Sequence, residues 1–460
     1  MQAPGALCVA LTPRSLDEVF SADLSGADYV EVRLDYLDNP RDSILARWDR
    51  LPVAAIVTCR GKERGGQFDG SAAEEIRLLQ HAIDNGARFV DMDYRIARPM
   101  PGARVIASFH DFESTPHDLL GLLDRICAGP GEIAKLATMV RSWDDNRRLL
   151  ELLARPWPKP VIIVGMGDLG QITRIIGPSR GSFLTYAGLA PNASAPGQLT
   201  VDDMHCVYRF RRAGPHTKLI GIIGYPLTHS RSPHIHNRAF DALDLDMMLV
   251  KCPVTDVKDF FNNARPIGIS GFCVTIPHKV AVIPFLDDIT PEARDVGAVN
   301  TVTWRNENWI GDNTDVHGVR AALASAGFDP DDKVIVILGA GGAAKAAVAA
   351  VKGAKRVEVL GRKDITKAAG IPCDLLINAT PVGMFPHVDA SPLEGPIPAD
   401  VVFDMVYNPP ITRLLRSARD QGKTAIQGTT MFLAQAARQF EIWTGHRAPT
   451  ETFEEKTILS

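Results

Sequence analysis

Arg104-Val105-Ile106-Ala107-Ser108-Phe109, a helix-like stretch over Pro116–Ala128, then Glu132-Ile133-Ala134-Lys135-Leu136-Ala137 read as strand, helix, strand. Two short apolar runs joined by an amphipathic segment make a βαβ unit, in which the second strand runs parallel to the first. The same alternation extends to both sides. Strand-like runs fall at Leu7–Leu11, Tyr29–Leu34, Val53–Thr58, Arg88–Asp93, Arg104–Phe109, Glu132–Leu136, Pro160–Val164 and Ser182–Tyr186. Helix-like segments fall at Ser15–Gly26, Ala73–Gly86, Pro116–Ala128, Ser142–Ala154 and Val201–Arg212. This strand count, closing near residue 212, predicts a (β/α)8 barrel. A doubly wound open sheet also alternates, but the count favours the barrel.

The whole chain has 460 residues, room for two or three domains. Its 50 basic and 54 acidic residues leave a net charge of −4, which offers no broad positive field to a nucleic acid. No apolar run reaches the 18 residues of a membrane span, and the first ten residues lack the basic start of a signal peptide. The seven cysteines are scattered without a Cys-x-x-Cys pair. They read as reduced thiols of a cytoplasmic protein, and no His/Cys/Asp cluster has metal-ligand spacing. The expectation is an α/β chain with small-molecule substrates, no nucleic acid, membrane or metal partner, acting as a monomer or homodimer.

Arg211-Arg212-Ala213-Gly214-Pro215-His216 interrupts the pattern as a linker. Beyond it, strand-like runs at Leu219–Gly224, Met247–Val254 and Gly271–Ile276 alternate with helices at Pro233–Leu243 and Val257–Ala264, and Asn300–Gly311 reads as a hairpin. Lys333–Leu338 then leads into Gly339-Ala340-Gly341-Gly342-Ala343-Ala344 and a helix, followed by runs at Arg356–Leu360, Asp374–Asn378 and Val401–Met405.

In the first half, polar residues recur at or just after strand ends: Arg33, Arg60, His110, Lys135, Arg174, Ser194 and Gln198. In a barrel these converge on the C-terminal face, where active sites lie. Lys135 stands in an apolar strand. Burial would lower its pKa and give a neutral amine able to form a Schiff base with a ketone. His110 could then remove the acidified proton and return it to a departing hydroxyl. Three arginines and the Ser194/Gln198 pair imply an anionic, hydroxylated substrate.

These residues, with Val30-Glu31-Val32-Arg33, Thr58-Cys59-Arg60 before Gly65-Gly66, Ser108-Phe109-His110-Asp111-Phe112, Gly165-Met166-Gly167 and Ser194-Ala195-Pro196-Gly197-Gln198, resemble type I 3-dehydroquinate dehydratase over residues 7 to about 212. The resemblance implies that Lys135 forms the imine, His110 is the general acid/base and Arg174 holds the substrate carboxylate. It also implies that Glu31, Arg33, Arg60, Ser194 and Gln198 hold hydroxyls or order the site. One position departs. Arg64 precedes Gly65-Gly66 where the family has a glutamate that orients the histidine, with Glu63 one residue earlier. Either the loop slips by one residue, Asp91 or Asp93 substitutes, or His110 is less well tuned.

In the second half, a Gly-x-Gly-Gly-x-Ala turn between a strand and a helix places a pyrophosphate on a helix N-terminus. The next strand ends in Gly361-Arg362-Lys363 without the acidic residue that binds a ribose 2′-hydroxyl. Cations there favour a 2′-phosphate, hence NADP(H). Tyr225-Pro226-Leu227-Thr228-His229-Ser230-Arg231-Ser232, Val274-Thr275-Ile276-Pro277-His278-Lys279, Gly297-Ala298-Val299-Asn300, Asp312-Asn313-Thr314-Asp315, Asn378-Ala379-Thr380, Asp404-Met405-Val406-Tyr407 and Gly428 through Gln435-Ala436-Ala437 together resemble shikimate dehydrogenase over 219 to about 445. The resemblance implies that Ser230, Ser232 and Tyr407 bind a carboxylate, and that Thr275, Asn300, Asp315 and Gln435 hold ring hydroxyls. Lys279 and Asp315 would form the catalytic pair. Gly339, Ala340, Gly341, Gly342, Ala343, Arg362, Lys363 and Thr380 would hold the dinucleotide, with Gly428 and Met431 near the nicotinamide. Cys273 stands where the family often has asparagine. Only 11 residues separate Arg362 from Asp374, where the family fits a further helix and strand, which predicts a trimmed adenosine side.

The expected organisation is a (β/α)8 barrel over 1–213, a substrate lobe over 216–317 completed by a C-terminal helix over 429–460, and a Rossmann-like NADP lobe over 318–428. The expected function is dehydration of 3-dehydroquinate to 3-dehydroshikimate, then NADPH-dependent reduction to shikimate. The competing readings are a dehydrogenase, of shikimate or quinate, with an impaired dehydratase, and a metabolite-sensing regulator built from these domains.

Overall fold

The computed structural model describes residues 5–189, 197–227 and 230–454. The chain divides into two compact units: residues 1–218 with 250–252 and 259–268, and residues 219–249, 253–258 and 269–460.

The first unit holds eight parallel strands: β1 (Ala6–Leu11), β2 (Tyr29–Arg33), β3 (Ala54–Thr58), β4 (Phe89–Asp93), β5 (Arg104–Asp111), β6 (Ile133–Met139), β7 (Val161–Met166) and β8 (Leu184–Ala187). Their order is β7-β6-β5-β4-β3-β2-β1-β8. The barrel is nearly closed: Phe183 N–H donates to the Val161 carbonyl at 2.7 Å across the remaining seam. The period of two along each strand decides what lies inside. Tyr29, Ile56, Phe89, Ile106, Ile133 and Leu184 belong to one apolar core cluster. Two residues further along, the same faces present Glu31, Thr58, Asp91, Ser108, Lys135 and Tyr186. An apolar plug thus lies beneath a polar layer.

The helices are fewer than the barrel pattern predicts: α1 (Leu16–Phe20), α2 (Ala72–Asp84), α3 (Leu119–Ala128), α4 (Trp143–Leu153) and α5 (Gln171–Ile176). Ser71 with Glu74, and Ser142 with Asp145, form capping boxes that start α2 and α4. Short 3-10 turns replace a helix after β2, and no helix separates β4 from β5. The expected helix over Ser15–Gly26 stops at Phe20, because Asp23 turns back to accept the Ser25 N–H at 3.0 Å. Val201–Arg212 is broken at Arg209, whose φ is +47°. The fifth and sixth strands run past Phe109 and Leu136, so that His110 pairs with Ala137 inside the ladder.

After the barrel strands the chain continues with β9 (Lys218–Gly224), α6 (Ser232–Ala242), β10 (Met247–Pro253), α7 (Val257–Ile267), β11 (Ile269–Val274), β12 (Asp288–Ile289), α8 (Pro291–Val296), β13 (Thr301–Arg305) and β14 (Asn308–Asp312), of which 250–252 and 259–267 group with the first unit and the rest, from residue 219 on, with the second. Their sheet order is β10-β9-β11-β13-β14-β12. The hairpin between β13 and β14 turns through Asn306 and Glu307, at φ +49° and +62°. There follow α9 (Asp315–Ser325), β15 (Val334–Leu338), α10 (Gly342–Ala350), β16 (Arg356–Leu360), β17 (Cys373–Asn378), β18 (Ala399–Asp404), α11 (Arg413–Asp420), β19 (Thr424–Ile426) and α12 (Gly428–Thr444). The second sheet is parallel, in the order β16-β15-β17-β18-β19. Against the doubly wound order 3-2-1-4-5-6, the third position is vacant. A 3-10 turn over Ile365–Gly370 carries the chain from β16 to β17. The last helix ends at Thr444 on Gly445, whose φ is +71°, rather than continuing through the expected 429–460.

On α6, His236 is fully buried among Phe240, Trp443 and Phe453, and neither ring nitrogen has a hydrogen-bond partner. Burial pushes its imidazole down to about 3. The unfolded chain takes up a proton near pH 6.5 and the folded one does not. Stability of this unit is therefore full above pH 6.5 and falls by roughly 1.4 kcal/mol per pH unit towards 3. Urea unfolding at pH 7 and pH 5 should show that loss, and His236→Leu should flatten it.

Candidate active sites

In the barrel, Lys135 is 3% exposed. Its Nζ donates to Glu31 Oε2 at 3.0 Å, to Asp91 Oδ2 at 2.9 Å and to the Tyr186 hydroxyl at 2.7 Å. Each ammonium N–H has an acceptor. Burial opposes the charge, but Asp91 and Glu31 outweigh it and hold the Lys135 pKa above its ordinary value. This corrects the expectation of a neutral amine: apolar neighbours along β6 do not surround Nζ, and carboxylates from β2 and β4 do. Thr58 Oγ1 donates to Glu31 Oε1 at 3.0 Å, and Ser108 Oγ and Arg60 Nη2 donate to Asp91 Oδ1 at 2.7 and 2.9 Å. Burial raises the Asp91 pKa, but Lys135 and Arg60 together bring it below the usual carboxylate range.

Arg33 forks onto Asp35 with 2.8 and 2.6 Å contacts. Arg174, 2% exposed, has no carboxylate partner among the described residues. Its Nε donates only to the Gly165 carbonyl at 3.3 Å, and burial pushes the guanidinium down to about 10. A buried cation facing no anion is a place for one. Gln198 is half-buried, and Ser194 lies outside the described residues.

His110 sits above this layer, half-buried, stacked on Phe112 with ring centroids 5.9 Å apart. Its enclosure, then Arg60 and Lys135, push its pKa well below the ordinary histidine value. No described carboxylate is hydrogen-bonded to it. Asp91 belongs to Lys135, and Asp93 is taken by Arg95 at 2.7 and 2.8 Å. Glu63 is exposed and pairs with Arg64, which also donates to the buried Glu75 of α2 at 2.5 Å. The loop therefore does not slip to bring Glu63 inward. It is tied to α2 through Arg64, while Gly65, at φ +79°, lies against Phe112, leaving no room for a Cβ.

In the second unit, Lys279 Nζ pairs with Asp315 Oδ2, at the N-terminus of α9. Asn300 Nδ2 donates to Asp315 Oδ1 at 2.9 Å, to Thr314 Oγ1 at 2.9 Å and to Gln435 Oε1 at 3.3 Å. The chain thus gathers Lys279, Asn300, Asp315 and Gln435 into one network. Ser232 starts α6, its N–H 3.4 Å from Ser230 Oγ. Tyr407 stacks on Phe432 at 4.1 Å. Burial pushes its hydroxyl up to about 12 despite the facing Arg231 backbone N–H, which puts it beside the two serines. Thr275 is half-buried and packs on Gly224.

Gly339 has φ +114°, and a Cβ there would meet the Ala379 carbonyl at 3.0 Å. Gly341 caps α10, with open space where a Cβ would stand, and Gly342 lies against Lys279. Gly339 through Ala343 thus form a bare turn before a helix N-terminus, which suits a pyrophosphate. Arg362 and Lys363 are exposed, with no carboxylate partner among the described residues, and suit a 2′-phosphate. Thr380 bonds to Asn378 at 2.7 Å, and Asn378 to Asp404 at 2.9 Å. Gly428 starts α12 with no room for a Cβ beneath Val406. Met431 is 7% exposed and packs into the apolar core.

Residues 7–215 match the type I 3-dehydroquinase family, residues 222–302 the shikimate dehydrogenase substrate binding domain and residues 428–456 the shikimate 5'-dehydrogenase C-terminal domain. A chloroplastic bifunctional 3-dehydroquinate dehydratase/shikimate dehydrogenase from Arabidopsis thaliana is 35% identical over 506 residues, covering 98% of this chain and 84% of that protein. The chain belongs to the bifunctional 3-dehydroquinate dehydratase/shikimate dehydrogenase family. A shikimate dehydrogenase (NADP(+)) from Microcystis aeruginosa is 39% identical over 277 residues, 53% of this chain and 96% of that one. The crystal structure of shikimate dehydrogenase 1 from Peptoclostridium difficile matches with a TM-score of 0.50 at 33% identity, over 53% of this chain and 97% of that one.

For a 3-dehydroquinate dehydratase/shikimate dehydrogenase, two barrel residues escaped the sequence reading. The motifs offer Asp91 only as a partner for His110 and do not mark Tyr186. Both stand two residues beyond an inward apolar side chain, Phe89 and Leu184, so strand alternation was the available signal. Asp91→Asn removes the charge that most opposes the burial of Lys135, so the lysine pKa should fall. Reductive methylation with 13C-formaldehyde, followed by NMR titration, should show the Lys135 resonance moving at lower pH than in the unaltered protein.

Proposed function

We propose that the two units divide consecutive steps between them. The family carries 3-dehydroquinate dehydratase and NADP-dependent shikimate dehydrogenase activities in one chain, and the reading concerns which residues perform each. The boundaries expected from sequence serve as the proposed domains: 1–213 for the dehydratase, 216–317 with the terminal segment 429–460 for the substrate lobe, and 318–428 for the NADP lobe.

The observation that carries the dehydratase reading is the caged Lys135 on the barrel axis. Arg174 takes the substrate carboxylate. Lys135 gives one proton to Glu31 or Asp91, and the amine adds to the ketone, with loss of water, as an iminium. The iminium withdraws electrons from the adjacent carbon, and His110 removes its proton. The β-hydroxyl leaves as water with a proton from His110, and hydrolysis of the imine frees 3-dehydroshikimate and Lys135. Glu31, Arg33, Arg60, Ser194 and Gln198 hold hydroxyls or the loops around them. His110 without a hydrogen-bonded carboxylate favours a second reading in one respect: a dehydratase slower than the dehydrogenase beside it.

In the second unit NADPH supplies the hydride when bound. Gly339, Ala340, Gly341, Gly342 and Ala343 would hold its pyrophosphate, Arg362 and Lys363 its 2′-phosphate, with Thr380 and Gly428 lining the approach and Met431 supporting the start of α12 from the core. Ser230, Ser232 and Tyr407 bind the 3-dehydroshikimate carboxylate, and Thr275, Asn300 and Gln435 its hydroxyls. Lys279 gives a proton to the carbonyl oxygen and Asp315 holds that ammonium in place. The residues proposed for both sites all come from one chain, which suits a monomer or homodimer. Seven cysteines without a disulfide suit a reducing compartment, and the cytoplasm is the one we propose. Among the described residues no helix is long and apolar enough to cross a membrane.

A coupled assay from 3-dehydroquinate plus NADPH tests this division. Lys135→Ala should stop dehydration, by about a hundredfold or more, and leave reduction of supplied 3-dehydroshikimate intact. Lys279→Ala should do the reverse. Dehydration surviving in Lys135→Ala would overturn the first assignment.

A further inference from the structure

The Tyr186 hydroxyl has no part in the scheme above, yet it is the shortest of the three contacts on Lys135 Nζ. It lies at 2.7 Å, with the ring centroid 4.4 Å from the same nitrogen. It stands at the inward position of β8, two residues beyond Leu184, 6% exposed, and its oxygen accepts from Nζ. An oxygen on the carbon bonded to Nζ lies within reach of a hydroxyl that already touches Nζ. We propose that Tyr186 is a catalytic residue of the barrel site, moving the proton that converts the first tetrahedral adduct of Lys135 and the substrate ketone into a carbinolamine. This rests on the assignment of Lys135 as the imine-forming residue.

The step balances within the site. When the Lys135 amine adds to the carbonyl carbon, nitrogen becomes positive and the former carbonyl oxygen negative. The Tyr186 oxygen accepts a proton from Nζ while its own O–H passes a proton to the alkoxide. The C–N bond formed by addition remains, the charges cancel, and the phenol is neutral before and after. No ionised tyrosine is needed, which fits its surroundings: burial, then the Glu31 carboxylate, push its pKa well above the ordinary value. Glu31 and Asp91 also touch Nζ, and the carboxyl that has taken the lysine's first proton is the alternative relay that the hydroxyl deletion below separates from Tyr186.

Tyr186→Phe keeps the ring over Nζ and removes only the hydroxyl. The test is rapid-quench borohydride trapping of the Lys135–substrate adduct, read by intact mass, in H2O and D2O. Expected are adduct formation in the unaltered protein with a solvent isotope effect, a rate about a hundredfold lower in Tyr186→Phe with the isotope effect lost, and an unchanged affinity for substrate. Equal trapping rates in the two proteins, or a slowed variant that keeps the full isotope effect, would overturn the role of Tyr186. Absence of any Lys135 adduct in the unaltered protein would instead remove the assignment on which it rests. Tyr186→Leu, which loses the ring as well, separates packing from proton transfer: a Tyr186→Phe rate matching the unaltered protein while Tyr186→Leu fails would assign the tyrosine to packing alone.

Discussion

A positive charge buried beside two negative ones, Lys135 between Glu31 and Asp91, sets the conditions for the rest of the barrel. An ammonium at that depth cannot stay charged without partners. The partners come from β4, two strands from β6 in the sheet, and from β2, four strands away, which the curling of the sheet into a barrel brings across. The remaining oxygens of the same carboxylates are then held by Thr58, Ser108 and Arg60. The polar layer is therefore one network, and the apolar plug of Ile56, Phe89, Ile106 and Ile133 beneath it keeps water from entering below. Removing one carboxylate leaves charge uncompensated, whereas an apolar exchange in the plug leaves the network's partners intact.

The dehydrogenase unit meets the same demand with less burial. Lys279 and Asp315 pair at the mouth of a helix, where the N-terminus of α9 favours the carboxylate. Asn300 fixes the other carboxylate oxygen, and Gln435 on α12 faces that amide. Four separate segments thus supply one proton donor and its supports. The cofactor side is economical in a different way: sheet position three is vacant, so β16 is an edge strand and the adenosine side is reduced to a turn bearing Arg362 and Lys363. Binding there falls on charge at the 2′-phosphate rather than on an enclosing wall.

The architecture was legible because strand alternation and the glycine turn are local signals. Eight runs of period two, and Gly339 through Ala343 between a strand and a helix, carry their meaning within a few residues. The site residues named by motif also came together: Lys135 with Glu31, and Lys279 with Asn300, Asp315 and Gln435. What local signals missed was set by strand order and by closure. The protonation of Lys135 depends on Asp91, 44 residues away, and Tyr186 meets Lys135 only because β8 returns to the barrel seam. Arg64 was visible as a departure, but its partner Glu75 lies on the next helix and could be found only once the loop was placed. The helices failed for a different reason: Asp23 and Arg209 end them through backbone turns that composition alone does not announce.

The caged lysine on the sixth barrel strand carries the substrate as an imine in the mechanism proposed above. Peptide mapping of the borohydride-quenched protein, supplied with 3-dehydroquinate, tests it most directly. One reduced adduct is expected, on the peptide containing Lys135. An adduct on any other lysine, or dehydration proceeding with no adduct, would contradict it.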